Sequence, residues 1–314
     1  MKYLALMVGL AILSSSCGGV SNTLLPTNES LDPTGELVFK EDEELQEKLA
    51  AVGAETKGNL GVFALLLEEE RAVSFNGNQR FAMQSVVKLP VVMTIMQQVA
   101  DGKFTLDQKI KFTADDLAPA NQRSPLRDNN PKGGEVTVAE LIRLALSESD
   151  GTACDVLTRI AGGTSGVQEY IQTFGLAGMD IKRTHKEFAK DWPLQYENWA
   201  TPEAAVQLLA SLWGQKEEYP ERVETILKHM YDTKTGPNRI KGLLPPGTPV
   251  AHKTGTGGTR NGITSATNDV GIITLPNGKH VALAVFVGDS PSDEKERELA
   301  IARVAKAVFD TWSE

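Results

Sequence analysis

Asp269-Val-Gly-Ile-Ile-Thr-Leu275, then Pro276-Asn-Gly-Lys279, then His280-Val-Ala-Leu-Ala-Val-Phe-Val287 is the stretch that decides the fold. Two β-branched and apolar runs flank a Pro-Asn-Gly turn, the pattern of a hairpin. A similar pair lies near the other end of the chain. Asn59-Leu-Gly-Val-Phe-Ala-Leu-Leu-Leu67 and Ala72-Val-Ser-Phe75 are joined by the acidic turn Glu68-Glu-Glu-Arg71. Between about Pro90 and His229 the period is that of helices, as in Val138-Ala-Glu-Leu-Ile-Arg-Leu-Ala-Leu146, Ala153 to Ile160 and Ala204 to Leu212. Thr201-Pro-Glu-Ala opens the last of these with a capping threonine and a first-turn proline. Further helices are expected from Glu41 to Val52 and from about Ser292 to Thr311. Strands at both ends with helices between imply an α/β protein: an antiparallel sheet domain from both chain ends (37–85 and 235–314) with an inserted all-helical domain (86–234).

Composition is that of an ordinary globular protein, with 41% hydrophobic and 23% charged residues. A net charge of −9 without a basic run argues against a nucleic-acid partner. Four histidines and two cysteines form no Cys-x-x-Cys or His-Glu-x-x-His spacing, so neither a metal nor another cofactor is expected. No exposed apolar repeat suggests self-association, which makes a monomer the default. Cys154, on a helical run, reads as a small buried residue.

Residues 1–16 carry one lysine, a short apolar core and a run of small residues, the layout of an export signal. The apolar core is shorter than the about 20 residues that span a bilayer. Cys17, followed by Gly18 and Gly19, resembles the lipid-attachment site of bacterial lipoproteins, although Ser14 stands where leucine is usual and the leucine is Leu13. Lipidation would hold the chain at a membrane, while cleavage by a general signal peptidase would release it. Residues 17–36 are polar, carry two prolines and read as a tether. The expected location is outside the cytoplasm, as a periplasmic protein or an outer-membrane lipoprotein.

Three short motifs carry the chemistry. In Phe81-Ala-Met-Gln-Ser85-Val-Val-Lys88 a hydroxyl and an amine lie one helical turn apart. Lys88 can take the proton of Ser85 only if its own pKa is lowered by burial or by neighbouring cations. Ser149-Asp150-Gly151 lies between two helical runs, where Ser149 can pass a proton to a leaving nitrogen. In Lys253-Thr254-Gly255-Thr256 a lysine alternates with small hydroxyl residues on a strand edge. It can bind a substrate carboxylate and help depress Lys88, and the amides of Ser85 and Thr256 can form an oxyanion hole. Taken singly, each motif is also compatible with an N-cap, an ordinary turn or a glycine-rich loop.

In this order and setting, Ser85-x-x-Lys88, Ser149-Asp150-Gly151 and Lys253-Thr254-Gly255 resemble the signature set of class A serine β-lactamases and penicillin-binding proteins. The resemblance runs from about Glu41 to Trp312, including Asn268-Asp-Val-Gly-Ile-Ile273. Tyr196-x-Asn198-Trp199 looks like the branch with extended-spectrum enzymes of the Bacteroidetes type. The resemblance implies a β-lactamase/DD-peptidase-like fold and a β-lactam substrate. It also implies a serine acyl-enzyme route in which Ser85 attacks, Lys88 shuttles the proton and Ser149 protonates the lactam nitrogen. Lys253, Thr254 and Thr256 would hold the substrate carboxylate.

Two positions depart from the family pattern. Gly151 stands where an asparagine is usual. In the loop Thr184-His185-Lys186-Glu187-Phe188, counting back from Tyr196 puts His185 where the family has the glutamate that activates the deacylating water. Glu187 lies two residues later. Either residue could activate the water, or neither could. The last case would leave a slowly deacylating penicillin-binding or sensor protein, or a DD-peptidase, as the alternative to a β-lactamase.

Overall fold

The computed structural model describes residues 40–69 and 71–314. The expected export signal, Cys17 and the tether lie outside the described residues. A short strand β1 (Lys40–Glu41) precedes helix α1 (Glu43–Glu55), then strands β2 (Asn59–Leu66), β3 (Arg71–Phe75) and β4 (Phe81–Ala82). A 3₁₀ turn, Gln84–Val87, runs into α2 (Lys88–Ala100). Next come β5 (Lys109–Thr113), α3 (Pro125–Asn129), β6 (Gly133–Thr137), α4 (Val138–Ser147), α5 (Gly151–Ile160), α6 (Gly163–Gln172) and β7 (Met179–Asp180). They are followed by α7 (His185–Phe188), β8 (Trp199–Ala200), α8 (Pro202–Gly214) and α9 (Pro220–Tyr231). The chain then returns to the sheet as β9 (Val250–Thr256), β10 (Thr259–Arg260), β11 (Ile263–Thr274) and β12 (His280–Ser290), and ends in α10 (Glu294–Trp312).

The main sheet runs β1-β3-β2-β12-β11-β10, with β9 also paired to β11. Among the described residues, only β1 and β3 pair in parallel. Both ends of the chain therefore meet in one sheet, as the hairpin patterns imply, and the first and last hairpins join through β2 and β12. The helical segment carries more strand than its sequence suggests. β5 pairs with β6, and β4, β8 and β7 form a small sheet. β4, β7 and β8 have two residues each, too few for a period-2 pattern to stand out, whereas β5, Lys109-Ile-Lys-Phe-Thr113, does alternate exposed and buried residues and departs from the all-helical expectation for this segment.

The reason β12 reads as an unbroken apolar run is visible in its packing. Val281, Leu283, Val285 and Val287 face a core with Leu45, Leu49 and Val52 of α1 and Ile301, Val304 and Val308 of α10. Ala282, Ala284 and Phe286 face a second core, shared with α2, α4, α5 and α8. A sheet covered on both faces shows no polar alternation. Helix α1 starts where Asp42 caps the amide of Leu45 at 3.1 Å, and its Leu45–Leu49–Val52 stripe has helical spacing.

At the centre of the second core lies α2, buried from Lys88 to Met96. A helix with apolar residues all round belongs inside a protein, and its N-terminal end emerges beside the end of β9. That crossing places Ser85 and Lys88 against Lys253 and Thr254. Gly255 permits it, because a Cβ there would lie 2.5 Å from the carbonyl oxygen of Met83.

Phe286 has no exposed surface and stacks on Phe81 with ring centroids 5.6 Å apart. Phe286→Ala is expected to cost about 3–5 kcal/mol, read as a lowered urea midpoint with an unchanged slope.

Candidate functional site

The 3₁₀ turn places the Ser85 hydroxyl over the first turn of α2, so that Lys88 Nζ donates to Ser85 Oγ at 2.6 Å. Gln84, just before, has a φ of +49°, a left-handed conformation that is costly for a residue with a side chain. Its amide side chain is held at 2.8 Å by Gln195 Oε1, which also accepts from Ser265 Oγ at 2.6 Å. These bonds pin the turn between the loop before β8 and the strand β11.

Ser149 sits between α4 and α5 with a φ of +57°. Its neighbour Asp150 holds the turn in place. One carboxylate oxygen caps α5 through the amide of Ala153 at 2.8 Å and accepts from Ser124 Oγ at 2.8 Å, while the other accepts from the amide of Leu126 at 2.6 Å. In Ser149-Asp150 the second residue is thus a helix cap and the first is the group presented to the cleft. Lys253 Nζ donates to Ser149 Oγ at 2.9 Å and to the carbonyl of Thr254 at 2.9 Å. A Cβ on Gly151 would come within 3.2 Å of the Ala118 methyl, so a side chain there would press on the loop before α3.

The register of β9 on β11 pairs Lys253 with Val270 and Thr254 with Asp269, and the last residue, Thr256, is exposed at the mouth of the cleft. Thr254 Oγ1 lies 2.5 Å from Thr235 Oγ1. Arg239 donates to Thr256 Oγ1 at 2.8 Å, to the carbonyls of Gly255 and Asn268, and to Glu298. The cleft holds about 580 Å³ and is lined by Ser85, Ser149, Thr235, Thr254, Thr256 and Gln122, among others. All six residues expected from the sequence (Ser85, Lys88, Ser149, Lys253, Thr254 and Thr256) therefore converge.

The loop from Thr184 to Asn198 closes the floor. Glu187 is turned back on its own helix: its carboxylate accepts from the Thr184 amide at 2.9 Å, and its amide donates to Thr184 Oγ1 at 3.3 Å. This is a capping box, and it commits Glu187 to α7. His185 instead points inward, with Nε2 at 2.6 Å from Lys88 Nζ. Asp155 of α5 accepts from the amides of His185 and Lys186 at 2.7 and 2.9 Å, and its Oδ1 lies 3.4 Å from His185 Nδ1. Asn198 braces the loop, accepting from the amides of Lys182 and Arg183 and donating to the Arg183 carbonyl. Its own carbonyl accepts from the amide of Met83 at 2.9 Å, next to the Ser85 turn.

Lys88 and His185 are each 1% exposed and Lys253 is fully buried. Burial lowers the Lys88 amine, against an upward pull from Asp155 and Asp150. Burial does that lowering, and the charge of Lys253, expected to help, is not among its causes. Lys253 itself is held well below its usual range, by burial first and by Lys88 second. His185 is pushed down to about 4 by burial and then by Lys88. Cys154 is buried and unpaired, its thiol pushed up to about 12 by burial, which makes it inert as a nucleophile.

Sulfur of Cys154, a carboxylate oxygen of Asp155 and a ring nitrogen of His185 lie within 4.8 Å of one another, a set that could ligate a metal. Asp155 is already committed to two loop amides, and the Lys88 amine lies against the same imidazole. Those contacts favour the hydrogen-bonded arrangement over a cation. Asp155, Arg239, Gln84 and Gln195 escape a reading of the sequence. Each is a polar residue on a helix face or in a loop, with no motif to mark it.

The family model described as the Beta-lactamase enzyme family matches residues 44–312. The chain is 38% identical over 255 residues to Beta-lactamase VEB-1 of Pseudomonas aeruginosa, covering 81% of this chain and 85% of that protein. It is 35% identical over 266 residues to the Extended-spectrum beta-lactamase PER-1 of the same organism, covering 84% and 86%. Among solved structures, a β-lactamase from Chitinophaga pinensis superposes with a TM-score of 0.82 at 39% identity, over 85% of this chain and 99% of that one. TLA-1 extended spectrum β-lactamase does so with a TM-score of 0.84 at 38% identity, over 88% and 100%.

An imidazole kept neutral by burial gives stability a pH dependence of defined sign. Well above pH 6.5, His185 is neutral whether folded or unfolded. As pH falls from 6.5 towards 4, the unfolded chain takes up a proton that the folded chain refuses, so stability is lost, by at most about 3 kcal/mol. Urea midpoints at neutral pH and at about pH 4.5 check this. The drop between the two should be smaller in His185→Gln than in the parent.

Proposed function

We propose, for a chain that belongs to the β-lactamase enzyme family and within it to the class A serine enzymes that hydrolyse β-lactams, that Ser85 is the nucleophile, Lys88 its base and Ser149 the donor to the lactam nitrogen. The observation that carries this assignment is the 2.6 Å contact between Ser85 Oγ and a Lys88 amine that burial drives towards its neutral form. A neutral amine at that distance accepts the hydroxyl proton as Oγ attacks the lactam carbonyl carbon. The oxyanion lies towards the amides of Ser85 and Thr256. When the C–N bond breaks, Ser149 Oγ gives its proton to the nitrogen while Lys253 holds it in place across 2.9 Å, and the proton that Lys88 took from Ser85 replaces the one lost by Ser149, so both lysines end acylation as they began it. Lys253, Thr254 and Thr256 receive the substrate carboxylate, with Arg239 supplying positive charge behind Thr256.

Water then cleaves the Ser85 ester and returns the enzyme. Intact-mass spectrometry of the protein with benzylpenicillin tests the assignment. A penicilloyl adduct should form and clear in the parent and should be absent in Ser85→Ala. Ser149→Ala should still carry the adduct but form it about 10²–10⁴ times more slowly. Labelling of Ser85→Ala would remove Ser85 as the nucleophile.

The same reading extends to location. Residues 1–16 are an export signal, and Cys17 carries lipid that holds a monomeric enzyme at the periplasmic face of a membrane through the tether to residue 36. The layout of charge, apolar core, small residues and Cys17 supports it. Cys17→Ser should move the protein from the membrane fraction to the soluble exported fraction. Unchanged partitioning would refute the anchor.

A further inference from the structure

We propose that His185, oriented by Asp155, is the base that activates the deacylating water, and that the proton then passes through Lys88 to the departing Ser85 oxygen. The proposal rests on the reading of Ser85 as the acylated nucleophile. Its geometric basis is an unbroken line of contacts. Ser85 Oγ is 2.6 Å from Lys88 Nζ, which is 2.6 Å from His185 Nε2, and His185 Nδ1 is 3.4 Å from Asp155 Oδ1.

The carboxylate beside Nδ1 selects the tautomer with its proton on that nitrogen. Nε2 is left with a free lone pair, directed at the Lys88 amine. In the free enzyme that lone pair accepts a hydrogen bond from Lys88. Once Ser85 has become an ester, its oxygen can only accept, so the Lys88 N–H turns from Nε2 to that oxygen and leaves the Nε2 lone pair to the water.

Each proton is accounted for. The water O–H bond breaks as its oxygen bonds to the acyl carbon, and the proton goes to Nε2. Asp155 faces the imidazolium so formed, in the role a carboxylate plays beside a catalytic histidine. When the tetrahedral intermediate collapses, the bond from the acyl carbon to Ser85 Oγ breaks. Lys88 takes the proton held on Nε2 and passes one to Oγ. His185 and Lys88 end as they began, Ser85 is a free hydroxyl, and the product leaves as a carboxylic acid that ionises in solvent.

The groups facing His185 agree with this role. Lys88 meets it from α2, Cys154 and Asp155 from α5, Lys253 acts on it from β9, and the Phe188 ring lies 5.0 Å away on its own helix. Burial and the Lys88 amine keep the ring neutral down to about pH 4, so a lone pair is present throughout the neutral range. Its basicity is close to that of an ordinary glutamate, about 4.3. Glu187, the other acid in the loop, is excluded by its capping box.

Single-turnover labelling with benzylpenicillin, read by intact mass, separates the two half-reactions. His185→Gln should still label at Ser85 and should clear the adduct at least about a hundredfold more slowly. His185→Glu, which places a carboxylate in the same loop position, should recover much of that loss. Asp155→Asn should slow clearance and move the acid limb of the clearance rate to lower pH, since the imidazolium loses its carboxylate; a purely structural Asp155 would leave that limb in place. Clearance in His185→Gln at the parent rate would overturn the proposal. Absence of any adduct in the parent would instead overturn the reading of Ser85. Should His185→Gln fail to fold, the parent decides by brief pH jumps. A clearance rate that falls with a midpoint near pH 4 is expected, and a rate that is flat down to about pH 3 overturns the relay.

Discussion

The site depends on the burial of one amine. Lys88 heads a helix that is apolar on every side, and taking an ammonium out of water there costs several kcal/mol unless it is paired or gives up its proton. Among the described residues, no carboxylate lies within hydrogen-bonding distance of it. Its two partners are a hydroxyl and an imidazole, and both are served by an amine with a lowered pKa. The chemistry of Ser85 follows from that arrangement, since a serine gains a base only where the base has been made willing to accept a proton.

Three different parts of the fold deliver the partners, each by its own physical device. Strand register sets Lys253 and Thr254, because a shift of one residue on β11 would turn them to the other face. Cap chemistry sets Ser149: Asp150 spends both carboxylate oxygens on the turn and so holds its neighbour at a left-handed φ of +57°. Side-chain bonds to backbone amides set the loop, through Asp155 at one end and Asn198 at the other. The loop holds only the single turn of α7 and a 3₁₀ helix at Trp192–Tyr196, so these amide bonds fix its position where a strand would have a ladder.

The fold was legible because its two hairpins and its helical middle differ in period, and Val281 to Val287 could not be mistaken for polar surface. The polar alternation usual in strands is missing from β12, since α1 and α10 cover one face while the helical layer covers the other. Short strands such as β4, β7 and β8 were not legible: two residues carry no period. Within the site, Ser85, Lys88, Ser149 and Lys253 announced themselves by spacing. Asp155 and Arg239 did not, because a carboxylate on α5 and a guanidinium in a loop have the same sequence context whether they face solvent or the cleft.

His185 and Glu187 show where the division falls. Sequence alone determined that a loop ahead of Tyr196 carries one imidazole and one carboxylate two residues apart, and that Ser85, Lys88, Ser149 and Lys253 come in a fixed order on fixed elements. Only the tertiary structure decided which of the two loop residues meets Lys88. Thr184 caps α7 and claims Glu187 for its own amide, while Asp155, on a helix 30 residues earlier in the chain, pulls the amide of His185 inward. Local hydrogen bonds took one side chain and a long-range bond placed the other. Spacing encodes the first kind of contact, and it carries no record of the second.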